Sequence, residues 1–71
     1  MQRVYTFTIF VVVVCGNPGT PGNGSTTVTS DTVGSIATHA CDEGFNLDGV
    51  SERTCLSNGS WSDELPTCVS K

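Results

Sequence analysis

A chain of 71 residues with a formal net charge of −4 has room for one small domain. Its three cations, Arg3, Arg53 and Lys71, are scattered, so the sequence carries no basic patch for nucleic acid or heparin. The four cysteines, at positions 15, 41, 55 and 68, suit a disulfide framework. Structural zinc sites usually have closely spaced ligand pairs, and this chain has none, so we expect no metal and no cofactor.

Residues 1–14 are predicted to be a hydrophobic leader, because a basic start precedes an apolar run from Val4 to Val14. The run is too short to cross a bilayer as a helix, which takes about 20 residues. A cut after Gly16 suits signal peptidase best but discards Cys15, whereas a cut after Val14 leaves valine where a small residue belongs. A signal peptide and a fragment boundary both stay open, with a bacterial lipid anchor at Cys15 the least favoured.

Short β-like runs alternate with turn residues through the first half of the domain. Residues 16–25 are rich in Gly, Pro and Asn and predict a loop. The β-branched, polar stretch at 25–30 predicts an exposed strand. Residues 35–41 alternate like a half-buried strand, which places three side chains on one face: Ala37, His39 and Cys41.

The second half of the domain predicts a hairpin. Residues 45–47 form one strand, the Asp48-Gly49 pair turns the chain, and residues 50–56 return beside it. No stretch of the domain has helical periodicity, so the fold class is an all-β mini-domain. The apolar candidates for its core are few: Val28, Val33, Ile36, Phe45, Leu47, Val50, Leu56, Trp61 and Leu65.

Several short motifs are interleaved with the cysteines. GFNLDG occupies residues 44–49, and a W-x4-P-x-C pattern runs from Trp61 to Cys68. Pro18-Gly19 follows the first cysteine, and Arg53-Thr54 precedes the third. In this order the residues closely resemble the sushi domain, also called the complement control protein module or short consensus repeat.

The resemblance implies a fold and a disulfide pairing. Spacing alone leaves three connectivities open for four cysteines. The family pairs first with third and second with fourth, which implies Cys15–Cys55 and Cys41–Cys68 in an elongated β-module over residues 15–69. It also implies that the structural core holds Trp61, Phe45 and Leu47. The family usually has an aromatic residue two before the second cysteine; His39 stands there, and we expect it to be packed rather than a pH-sensitive contact.

The resemblance further implies a non-catalytic extracellular module that binds a protein, secreted or in the ectodomain of a membrane protein. We expect neighbouring sushi modules in a larger complement-regulator, adhesion or receptor-like protein, and no membrane insertion by the domain itself. One histidine and four bridged cysteines leave no catalytic set, so the chain is not expected to be an enzyme. The alternative is a stand-alone small secreted effector or inhibitor.

Two kinds of surface site are predicted. The stretch between the first two cysteines tends to project in the family, which makes it the candidate partner-contact segment: Thr26, Thr27, Thr29, Ser30, Asp31 and Thr32. The acidic turn at Asp48 ranks second, and the acidic second half of the chain suits either solubility or a basic partner. The sequons at Asn23 and Asn58 are candidate glycosylation sites, although each also contains an Asn-Gly turn signal.

Overall fold

The computed structural model describes residues 12–71, and within them the only regular elements are short β-strands. This confirms the all-β prediction. The predicted leader covers residues 1–14. Its first 11 residues lie outside the described part of the chain, so the leader stays a prediction. The five strands are β1 (Gly24–Val28), β2 (Ile36–Cys41), β3 (Phe45–Asp48), β4 (Glu52–Thr54) and β5 (Thr67–Ser70).

The strands form two antiparallel sheets. A three-stranded sheet has the order β1-β2-β4, with Thr26 opposite His39 and Ala37 opposite Arg53. A two-stranded sheet pairs β3 with β5. Period-two alternation places the β2 side chains as expected, since Ala37 and His39 are buried on one face while Thr38 is exposed on the other.

The predicted hairpin around Asp48-Gly49 is wrong. Strand β3 pairs with β5, and β4 pairs with β2, so the chain crosses from one sheet to the other after Gly49. Gly49 has φ +121°, which L side chains rarely adopt, and a Cβ there would lie 3.1 Å from Pro66 Cβ. The Asp-Gly signal therefore marks a bend packed against a distant proline rather than a two-residue hairpin loop.

Two disulfides hold the sheets and loops together, and both pairings implied by the resemblance are confirmed. Cys15 is bonded to Cys55, and Cys41 at the end of β2 is bonded to Cys68 in β5. No cysteine of the chain is free. In the chain-entropy model, loop closures of 40 and 27 residues are each worth about 3–4 kcal/mol.

The buried core is smaller than predicted. It consists of Ala37, Cys55 and Trp61, with Cys15 packed against them, so the tryptophan lies beside the first disulfide. Phe45 and Leu47 are half-buried and lie in the two-stranded sheet, outside this cluster. The prediction that four other residues lie in the core is wrong, because these residues are between 39 % and 49 % exposed: Val28, Val33, Leu56 and Leu65. So short a chain has too few elements to cover them.

Polar side chains occupy much of the interior instead. His39 is 2 % exposed and Arg53 is 9 % exposed. The Arg53 guanidinium donates hydrogen bonds to three backbone carbonyls, those of Pro18 at 2.8 Å, Ser62 at 2.9 Å and Asp63 at 3.3 Å. Carbonyl partners satisfy the buried cation, and they tie two loops to β4.

Candidate interaction surface

The contact segment, residues 26–32, covers the second half of β1 and the bend that follows it. Thr26 and Thr32 are half-buried, and the remaining members of the predicted set are exposed: Thr27, Thr29, Ser30 and Asp31. The Thr26 hydroxyl is engaged with the ring of His39, at 2.7 Å between Oγ1 and Nδ1. The part of the segment that is open to a partner is therefore its outer face and its bend.

Hydrogen bonds anchor the contact segment at its middle, Thr29, and near its end, Asp31. The Thr29 N–H donates to the Ile36 carbonyl at 3.1 Å, and the Ile36 N–H donates to the Thr29 hydroxyl at 3.1 Å. The Cys15 N–H donates to the Asp31 carbonyl at 2.7 Å, which ties the bend to the first disulfide. A segment ordered in advance loses less conformational freedom when it binds.

His39 lies on β2 directly opposite Thr26, the first residue of the contact segment. Burial lowers the pKa of His39 below its usual 6.5, and the nearby positive charge of Arg53 lowers it further. Its Nε2 is buried and has no hydrogen-bond partner within the described residues. With 2 % of its surface exposed, the His39 ring is shielded from direct contact with a partner, and it lies on the buried face where β2 pairs with β1.

A shallow cleft of about 460 Å³ lies between the start of the domain and the contact segment. We call it the Val28 cleft. Its lining residues come from two stretches of the chain, Gly16 to Pro18 on one side and Val28 to Asp31 on the other. Val28 was predicted to be core, and its 47 % exposure at this cleft makes it a surface residue instead.

A second shallow cleft, of about 490 Å³, gathers carboxylates from two loops. We call it the acidic cleft. Asp48, from the predicted second-ranked turn, lines it together with Asp63 and Glu64. The sequence separates these loops, and the contact of Gly49 with Pro66 brings them together. Sequence reasoning missed this grouping because no local pattern reports the crossing between the sheets.

Both candidate glycosylation sites are exposed, with different local geometry. Asn58 Oδ1 accepts a hydrogen bond from the Ser60 N–H at 3.0 Å within a turn. Asn23 has φ +59° and immediately precedes β1, where Gly24 is closely packed. A Cβ on Gly24 would lie 2.8 Å from Cys68 Sγ, so the Asn23 turn sits against the second disulfide.

Among residues 12–71, no group of three or more histidine, cysteine, aspartate or glutamate side chains is placed to hold a metal ion. The same part of the chain contains no helix long and apolar enough to cross a membrane. The side chains that line the two clefts carry hydroxyls, carboxylates, one amide from Asn17, and apolar groups. Such groups are suited to recognition of another surface.

The sequence profile of the family described as Sushi repeat (SCR repeat) matches residues 15–68 of this chain. The chain belongs to the sushi family. The match runs from the first cysteine of the first disulfide to the last cysteine of the second, so it covers both disulfides. Sushi repeats are generally non-catalytic modules.

Named relatives are larger proteins that contain a similar stretch. The chain is 46 % identical over 57 residues to Sushi, von Willebrand factor type A, EGF and pentraxin domain-containing protein 1 of Rattus norvegicus, a match covering 80 % of the chain and 2 % of that protein. It is 41 % identical over 58 residues to E-selectin of Equus caballus, covering 80 % of the chain and 10 % of that protein. Protein lev-9 of Caenorhabditis elegans is 37 % identical to the chain over 54 residues, a match covering 76 % of the chain and 9 % of that protein. The sushi repeat thus corresponds to a small part of each relative.

Proposed function

We propose that this sushi repeat is a non-catalytic extracellular module that binds a protein partner through the contact segment at residues 26–32. The observation that carries the proposal is the combination of exposure and anchoring in that segment. Thr27, Thr29, Ser30 and Asp31 are exposed, while hydrogen bonds at Thr29 and at the Asp31 carbonyl hold their chain in place. Loops held on a rigid scaffold are the usual location of binding residues.

The extracellular setting is supported by the disulfides. All four cysteines are paired, and the two bonds are comparable in worth to the whole stability expected of so small a domain. A reducing compartment would remove them. We therefore propose that the module is secreted or lies in the ectodomain of a membrane protein.

Neighbouring sushi modules are part of the proposal. The matched relatives are much longer than this chain, which spans between 2 % and 10 % of their length. A parent protein of the adhesion, receptor or complement-regulator type would present the contact segment beside the surfaces of adjacent modules. The alternative, a stand-alone secreted effector or inhibitor, has no specific observation in its favour.

We also propose that N-linked glycans attach at Asn58 and at Asn23 when the chain is secreted by a eukaryotic cell. The support is that both side chains are exposed and both lie in sequons. Peptide mapping with and without a glycan-releasing amidase tests each site separately. An asparagine recovered unmodified from the secreted protein would remove that site from the proposal.

The binding proposal is tested with the full disulfide-bonded chain immobilised against a panel of purified secreted proteins and ectodomains. We expect at least one specific binder, whose signal falls about tenfold when Thr29, Ser30 and Asp31 are replaced together by alanine. The control replaces Glu52 and Ser57, two exposed residues outside the contact segment and outside both sequons, and should leave the signal unchanged. Equal loss in both variants, or no loss in the first, would reject the contact segment.

A further inference from the structure

Strand β1 lies at the edge of the three-stranded sheet, and within residues 12–71 no strand pairs with its outer side. Just beyond the end of β1, Val14 forms an isolated antiparallel bridge with Thr32. The Asn23 carbonyl accepts from the Asp42 N–H at 2.8 Å, and the Thr29 N–H donates to Ile36 at 3.1 Å. Antiparallel hydrogen bonding alternates along a strand, so the odd-numbered residues between these two bonds face β2. The backbone N–H and C=O groups of the even-numbered residues point away from the sheet: Gly24, Thr26 and Val28.

The opposite edge of the same sheet is partly occupied by the chain itself. There the outward N–H of Thr54 on β4 donates to the Ser62 hydroxyl at 2.9 Å. The Thr54 carbonyl accepts from the Ser62 N–H at 2.8 Å. At the β4 edge the outward groups of Thr54 are therefore occupied by the chain itself, whereas the outward groups of β1 have no backbone partner within residues 12–71.

Strand β1 also lacks the features with which proteins commonly protect an exposed edge. Its sequence, GSTTV, contains no charged residue and no proline, and its pairing with β2 is continuous from Gly24 to Val28. Its last three residues are β-branched, a type that suits an extended strand. The edge is thus compatible with the addition of another strand.

The Val28 cleft adjoins this edge on the inner face of the sheet. Val28 is opposite Ala37 and Thr26 is opposite His39, so both side chains point to the buried side. A strand added along β1 would direct an inward side chain into the cleft between Val28 and Pro18. A second copy of this chain, paired about Thr26 by two-fold symmetry, would place Gly24 opposite Val28 and leave the cleft unfilled.

The charge around the cleft favours a basic occupant. Asp31 is exposed on the cleft wall, and the chain as a whole has a net charge of −4. Of the two cations among the described residues, Arg53 is buried on backbone carbonyls and Lys71 directly follows β5 in the other sheet. A lysine or arginine on the incoming segment would pair with Asp31 without competition from these two cations.

We propose that the outer edge of β1 binds an extended, basic peptide segment of a protein partner by strand addition, with one apolar side chain of that segment in the Val28 cleft. The inference rests on the proposed binding function and specifies its mode. Backbone hydrogen bonds to Thr26 and Val28 supply sequence-tolerant affinity, while the cleft and Asp31 select an apolar residue beside a cation.

The probe is a phage library of random linear peptides, selected on the full disulfide-bonded chain. We expect enriched peptides to combine β-branched residues with lysine or arginine. In hydrogen exchange with a synthetic copy of an enriched peptide, the amides of Thr26 and Val28 should become protected. The amides of Ser25 and Thr27 face β2 and should already exchange slowly in the free chain. Docking through side chains alone would not produce this alternation.

Three variants separate the parts of the site. Val28→Pro removes an outward N–H that β2 does not use, and should weaken the peptide about threefold to tenfold. Val28→Ala keeps that N–H and tests what the apolar contact in the Val28 cleft contributes to affinity. Asp31→Asn should weaken peptide binding about twofold to fivefold and reduce the salt dependence of binding. Thr38→Ala, on the exposed outer face of β2, is the matched control and should leave affinity unchanged.

Absence of any enriched peptide, or unchanged exchange at Thr26 and Val28, overturns strand addition. The binding function is judged separately, by the ectodomain panel. If the ectodomain signal falls on alanine replacement of Thr29, Ser30 and Asp31 but survives Val28→Pro, the binding proposal stands and strand addition is rejected. If no ectodomain binds while peptides still protect the β1 edge, strand addition at this edge stands and the proposed binding of an ectodomain is rejected.

Discussion

Arg53 and Pro18 lie 35 residues apart in the sequence and are joined by a hydrogen bond of 2.8 Å from Nη1 to the proline carbonyl. The same guanidinium reaches the carbonyls of Ser62 and Asp63. One buried side chain therefore holds the loop after the first cysteine against the loop after Trp61. In a domain whose buried apolar cluster is three residues, this polar contact replaces part of a hydrophobic core.

Replacing Arg53 by lysine should destabilise the module by about 2–3 kcal/mol, because hydrogen bonds to a charged donor are worth more than neutral ones. An ammonium presents its donors from a single nitrogen and cannot reproduce the guanidinium fork. Urea unfolding followed by Trp61 fluorescence measures the loss. Glu52→Gln, on the exposed neighbouring residue, should change stability by less than about 0.5 kcal/mol. A lysine variant as stable as the parent would contradict the role of the fork.

The two disulfides should differ in what their removal costs. Chain entropy alone separates loops of 40 and 27 residues by only about 0.3 kcal/mol. Cys55, however, is 1 % exposed and packs with Trp61, whereas Cys41 and Cys68 are half-buried. Cys15→Ala with Cys55→Ala should therefore destabilise the module more than Cys41→Ala with Cys68→Ala, and each pair should cost about 2–5 kcal/mol.

Urea unfolding of both double variants at the same pH measures that difference. The single mutants are unsuitable because each leaves a reactive thiol. A greater loss on removing Cys41–Cys68 would show that the packing beside Trp61 does not control the stability of the module.

Sequence periodicity predicted the parts of the fold that depend on local pattern. Alternation over residues 35–41 identified the buried face of β2, because one side of that strand packs on the domain and the other meets solvent. Pairing between sheets is set by distant contacts, such as Gly49 with Pro66, and local pattern does not report them. The predicted hairpin failed for this reason.

The candidate surface was predictable to a similar extent. Position between two cysteines and a polar, β-branched composition indicated the contact segment. The Val28 cleft required knowledge that Gly16 to Pro18 lie next to Val28 to Asp31, and burial of Arg53 depends on carbonyls from two loops. An arginine in a charged, polar sequence gives no local sign that it will be buried.

Gly24 should tolerate no side chain. A Cβ at this position would lie 2.5 Å from the Ala40 carbonyl oxygen and 2.8 Å from Cys68 Sγ. Gly24→Ala should cost about 1–3 kcal/mol through overpacking against the second disulfide. Gly22→Ala is the matched control, since a Cβ there meets nothing within 4 Å and should be neutral or stabilising. Thermal unfolding compares the two, and equal effects would contradict the close approach.

His39 should make stability depend on pH. Burial, and then the charge of Arg53, hold the pKa of folded His39 below its ordinary value of 6.5. Below that pH the unfolded chain binds a proton that the folded chain resists, so stability is full above about pH 7 and falls as the pH drops through 6.5. The free energy of unfolding falls by up to about 1.4 kcal/mol per pH unit, and it levels off once the pH is below the folded-state pKa of His39.

His39→Phe is the decisive variant, because it keeps an aromatic ring at this position and abolishes the titration. Stability is measured by urea unfolding between about pH 7.5 and pH 5.5, above the range in which most carboxylates titrate. We expect the parent to lose stability across this interval and the phenylalanine variant to lose distinctly less. Parallel pH profiles for the two proteins would mean that His39 is protonated in the fold without penalty, contrary to its 2 % exposure and its position beside Arg53.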